Sequence, residues 1–141
     1  MANTVTNTRL QATETQVIQY ITISSDGTEE SDLVIYDSSA VATALGKDDT
    51  SNCAINSIYA TVSAAQPATA AAGARAFLEF DATTDILALD IPPNTVVKND
   101  FRPIGKLKNT AGSGKTGDIL LNTAGLESGD KITIILNVDP R

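Results

Sequence analysis

The feature that most limits how this chain can fold is a two-residue alternation of apolar and polar side chains. It recurs in short runs separated by turn signals. In KITIILNV (131–138), Ile132, Ile134, Leu136 and Val138 fall on one side, and Thr133, Ile135 and Asn137 on the other. In ARAFLEF (74–80), Ala74, Ala76, Leu78 and Phe80 alternate with Arg75, Phe77 and Glu79. QVIQYITI (16–23) sets Val17, Gln19, Ile21 and Ile23 against Ile18, Tyr20 and Thr22. Side chains point to opposite faces at successive strand positions, so this period makes strands with one buried face. Ile135 adds apolar surface to the second face of its strand, which predicts cover there from the opposite sheet or from a partner.

Further runs at 32–37, 54–63, 85–91, near 95–101 and at 118–125 bring the total to about eight strands. Asp26-Gly27, DATTD (81–85), Pro92-Pro93-Asn94 and the segment LESGD supply the reversals. The pattern predicts an all-β, single-domain sandwich of jelly-roll or Greek-key type. SSAVATALGKDD leaves room for one short helical turn, with Ser38 or Ser39 capping its start and Gly46 ending it. AAQPATAAAGA reads as a loop of small residues, since Pro67 and Gly73 leave too few positions for a stable helix. Residues 1–15, rich in Thr and Asn, read as an extended N-terminal arm that is ordered only where something holds it, with the sandwich domain spanning 16–141.

Composition narrows function. The 141 residues include no histidine and one cysteine, Cys53. A Ser-His-Asp or Cys-His catalytic pair, a His/Cys zinc site and a disulfide framework are all excluded within the chain. Cys53 has no histidine to lower its pKa and reads as a small buried residue. Aromatics are 4% of the chain, so the core must be built from Ile, Leu, Val and Ala. The net charge of −7 has the wrong sign for a nucleic-acid partner. No apolar run is long enough for a transmembrane helix, and the first residues lack the layout of a secretory signal, so synthesis in a cytoplasm is expected.

Two motifs fail on inspection. AGSGKTGD suggests a phosphate loop, but Asn109 stands where the first glycine belongs, and a β-patterned run follows instead of a helix. Asp81 and Asp85 flank a turn and could approach each other, as paired carboxylates do in glycosidases and calcium sites. The chain has only three Tyr and three Phe with which to stack sugars, and DGTEESD and DDTSN both break EF-hand spacing. The residues therefore point to no catalytic set, cofactor, metal or small-molecule substrate.

Charge is unevenly placed. Residues 1–70 hold two bases against eight acids, and residues 71–141 eight against nine. Lys98, Arg102, Lys106, Lys108 and Lys115 form a basic run interrupted only by Asp100. Arg9, Arg102, Lys106, Lys108 and Lys115 are the candidate partner-binding residues, offered to an acidic partner or to the acidic hairpin of a neighbouring copy.

Three stretches carry a family resemblance: ITISSDGTEESDLVIYD; FLEFDATTDILALDIPPN with DFRPIG; and NTAGSGKTGDILLNTAGLESGDKITIIL. Together, over about residues 16–138, they resemble a group of small virion structural proteins of tailed bacteriophages, including cyanophages. Those relatives usually carry Trp before DATTD, where this chain has Phe80. The resemblance implies a non-enzymatic capsid cement or decoration protein on the outer capsid surface, a homo-dimer or homo-trimer bound to the major capsid protein. A neck, tail or head-fibre component is the alternative it leaves open. A carbohydrate-binding module is the reading from another class, and it requires an exposed aromatic platform.

Overall fold

The computed structural model describes residues 3–46, 52–63 and 75–140. The Ala-rich segment at 64–74 and Lys47 lie outside them. Among the described residues, ten strands form two antiparallel sheets. The larger orders β1 (Thr4–Ala12), β2 (Val17–Asp26), β10 (Ser128–Asp139), β4 (Ala54–Ser63) and β7 (Val96–Asp100), with the two-residue β8 (Leu107–Lys108) also on β4. The smaller orders β3 (Leu33–Tyr36), β9 (Ile119–Ala124), β5 (Arg75–Phe80) and β6 (Ile86–Ile91).

Setting aside β1 and β8, each sheet holds four strands, and the chain crosses between sheets after β2, β3, β4, β6, β7 and β9. Strand β10 returns to lie between β2 and β4, and β9 lies between β3 and β5. Each is inserted between strands formed much earlier in the chain. That is the interleaved double Greek key of a jelly roll, one of the two topologies the alternation allowed.

The alternation decides what fills the interior. Ile21 and Ile23 of β2, Ile132, Ile134 and Leu136 of β10, and Ile58, Ala60 and Val62 of β4 are at most 2% exposed. They meet Ala76, Leu78 and Phe80 of β5 and Ile119 and Leu121 of β9, each at most 1% exposed. Tyr36 and Phe80 are the largest fully buried side chains, and the rest of that set is Ile and Leu. Burying each aliphatic side chain contributes about 1.5–3 kcal/mol. The Tyr36 hydroxyl has no hydrogen-bond partner among the described residues, and burial pushes its pKa well above the usual phenol range.

Two elements differ from expectation. Residues 4–12 are extended, but as a strand rather than a separate arm: β1 pairs antiparallel with β2 from Thr4↔Ser24 to Ala12↔Val17, with a bulge between Arg9 and Gln11. Its side chains from Thr4 to Gln11 are exposed on both faces. Polar contacts hold it instead: Gln19 Nε2 donates to Asn7 Oδ1 at 2.7 Å, and Asn7 Nδ2 donates to the Ile35 carbonyl at 3.0 Å. The second difference is a helix, α1 (Ser38–Leu45), of eight residues rather than one turn. Asp37, not Ser38 or Ser39, caps it, accepting from the Ala40 amide at 3.2 Å. The Ser39 hydroxyl and that amide hold the Asp37 carboxyl below its usual range. Gly46 ends the helix at φ 69°, as the sequence indicated.

Candidate binding surfaces

The basic run does not assemble into one patch. Arg102 opens a short 3₁₀ turn, and its guanidinium grips Asp100 with two of its three nitrogens, Nε to Oδ1 at 2.9 Å and Nη2 to Oδ2 at 3.0 Å. The guanidinium holds the Asp100 carboxyl below its usual range. Lys106 sits at φ 69° and turns inward to Asp139, whose side chain is 3% exposed. Its charge is thus spent inside the fold, latching the loop after β7 to the end of β10. Lys108 is exposed on β8 opposite Ala54, and Lys115 is half-buried between Gly114 and Thr116. Arg9 lies on β1, at the opposite edge of the large sheet, beside a shallow cleft of about 170 Å³ shared with Val34 and Asp37. Of the five candidates, Arg9, Lys108 and Lys115 pair with no described acid.

The two turn motifs meet although more than twenty-five residues separate them in the chain. The Asp81 carboxylate accepts from the Thr116 hydroxyl at 2.7 Å, and the Asp81 amide donates to the Asp118 carbonyl at 3.1 Å. The Thr83 amide donates to the Ser113 carbonyl at 3.2 Å. Gly114, at φ 76°, lies so close that a Cβ there would fall 2.0 Å from the Thr83 hydroxyl and 2.6 Å from its amide. The glycine of the would-be phosphate loop therefore allows DATTD and SGKTGD to be stitched together at one corner of the sandwich. Cys53 is 2% exposed and donates to the Gly117 carbonyl at 3.0 Å; burial pushes its thiol up to about 12.

Asp85 accepts from the Ala82 amide at 3.1 Å and brings its carboxylate within 4.8 Å of those of Asp32 and Glu79. Burial, followed by the charges of Asp85 and Asp32, raises the Glu79 pKa. This trio lies toward the outer face of the four-stranded sheet, where Val34, Leu120, Glu79 and Leu87 form one cross-strand row. Val34 is 41% and Leu87 61% exposed.

The outer face of the six-stranded sheet has a different character. Registers align Thr8, Tyr20, Ile135, Tyr59 and Lys98 in a row across five strands. The parallel row of Thr6, Thr22, Thr133 and Thr61 lies beside it. Ile18, Ile135, Tyr59, Lys98 and Arg102 border an open groove of about 470 Å³. Ile135 thus faces away from the opposite sheet, and none of the described residues covers that side. Tyr20 and Tyr59 share the face two strands apart, whereas Tyr36 is buried. The sequence placed Tyr20 and Ile135 on second faces of their strands, but pairing partners far apart in the chain decide that they line up.

No helix among the described residues is long and apolar enough to cross a membrane. No family model, curated protein or solved structure matches the chain.

Proposed function

We propose that this protein is a virion structural component of a tailed phage, a capsid cement protein that clamps neighbouring major capsid subunits on the outer shell. The observation that carries the reading is the jelly-roll topology with a side-chain-filled interior, an architecture used by viral shell domains. The warrant is analogy of architecture joined to the resemblance of the DATTD and TGDI stretches, not a recognised site. The packing of those two stretches on each other supports treating them as one unit of the fold.

The mechanism is mass action. A protein that binds the assembled lattice and not its separate subunits stabilises the lattice by its binding free energy. Contacts repeated over a symmetric shell then combine through avidity. No catalytic step is required of any residue.

Imaging of the particle tests the reading. Density for this chain at junctions between capsid hexamers, in hundreds of copies, is the expected result. Density confined to the unique vertex replaces it with the neck, tail or head-fibre alternative. Tyr20 and Tyr59 are the observation favouring carbohydrate binding; soluble oligosaccharides that perturb both rings while isolated capsids do not bind would establish that reading instead.

A further inference from the structure

The two outer faces of the sandwich are complementary to each other. Each has an apolar centre that the described residues leave open: half-buried Tyr20 and Ile135 with exposed Tyr59 on the six-stranded sheet, and exposed Val34 and Leu87 on the four-stranded one. Their charges are opposite. On the outer face of the larger sheet, the cross-strand rows through Lys131, Thr133, Ile135 and Asn137 hold three charged residues, Lys98, Lys131 and Asp100, and Asp100 is neutralised by Arg102. The outer face of the smaller sheet carries one described cation, Arg75, which is neutralised by Asp90 at 3.4 Å; beside that pair it gathers Asp32, Glu79 and Asp85 within 4.8 Å, and no described cation forms an ion pair with any of these three. An acidic trio whose members repel one another gains from an approaching lysine. Apolar surface flanked by unpaired charge of one sign, with the pairs Asp100–Arg102 and Arg75–Asp90 each self-neutralised, is the make-up of a docking face.

We propose that the outer face of the six-stranded sheet in one copy docks on the outer face of the four-stranded sheet in a second copy. The surface is heterologous, because each copy offers a different face to its neighbour. The two faces lie on opposite sides of the sandwich, so a pair still exposes one of each, and association continues past two. The inference concerns copies of this chain alone and stands whether or not the cement reading holds.

The test uses the full chain in sedimentation velocity. Wild type is expected to form species larger than a dimer at low salt and to dissociate as salt screens the lysines from the carboxylates. Lys98→Glu with Tyr59→Thr removes one face; Leu87→Lys removes the other. These positions are exposed, so circular dichroism should show both variants folded. Each variant alone is expected to associate roughly tenfold or more weakly than wild type. Mixed in equal amounts, the two are expected to form a one-to-one dimer that grows no further, since each retains the face the other lacks. A monomeric wild type overturns the proposal, and so does a wild type that stops at a dimer. Full assembly of either variant alone overturns it too.

Discussion

Strands β10 and β1 belong to one sheet, and both pair with β2, yet they are held there by different physics. Every second residue of β10 from Ile132 to Val138 is at most 1% exposed. The equivalent inward positions of β1, Val5, Asn7 and Arg9, are all exposed, because the smaller sheet ends at β3 and places no strand opposite them. One strand is fixed by apolar burial, the other by its backbone ladder and a few side-chain hydrogen bonds. The difference teaches that register alone does not make a core position; a second layer has to lie over it.

The largest effect expected from breaking this contrast is at Ile134. Ile134→Ala should cost about 3–4 kcal/mol in denaturant unfolding, the range for a large-to-small change in a closed core. Lys106→Met comes next, at about 2–3 kcal/mol, because it leaves the buried Asp139 carboxylate without its ammonium partner. Gly114→Ala should lose roughly 2 kcal/mol, from left-handed strain and the collision with Thr83, and a lowered Tm would register it. Glu79→Gln runs the other way. The folded-state pKa of Glu79 lies above its unfolded value, so its ionisation disfavours the fold once pH exceeds the unfolded carboxylate range. The variant should therefore be more stable at pH 7, by under about 1 kcal/mol, with the gain vanishing toward pH 3 in thermal melts. The smallest effect closes the comparison: Val5→Ala, at an inward register position like Ile134, should change unfolding free energy by less than about 0.5 kcal/mol. A cost at Val5 approaching that at Ile134 would mean something covers β1 in solution.

What was legible in the sequence follows the same division. Strands β2, β5 and β10, whose burial alternates around the core, were visible because burial writes period two into the chain; β9, buried on both faces, and β7, mostly exposed, were marked instead by apolar residues between turn signals. Strand β1 was not read as part of the sheet, since TVTNTRLQA buries neither face and so carries no apolar alternation. The basic run misled for a related reason. Sequence proximity of Lys98, Arg102, Lys106, Lys108 and Lys115 says nothing of direction, and the fold sends one charge to Asp139, one to Asp100 and the others to separate places. The acidic trio was missed because Asp32 comes from a different part of the chain from Glu79 and Asp85, and only the pairing of β3, β9 and β5 unites them. The motif glycines were noticed, but their reason, the approach of Gly114 to Thr83, lies between two distant turns.

The position of β10 has a consequence for how the molecule forms. Ile135 pairs with both Tyr20 and Tyr59, so the centre of the larger sheet is a strand made after all the others described. Until it arrives, β2 and β4 each have a bare edge, and the nascent chain exposes the apolar rows that will later face inward. Pairings of such long sequence separation are the slow kind to close. The jelly roll therefore commits late, and a chain cut short before Ser128 is left with two open templates for pairing with its neighbours.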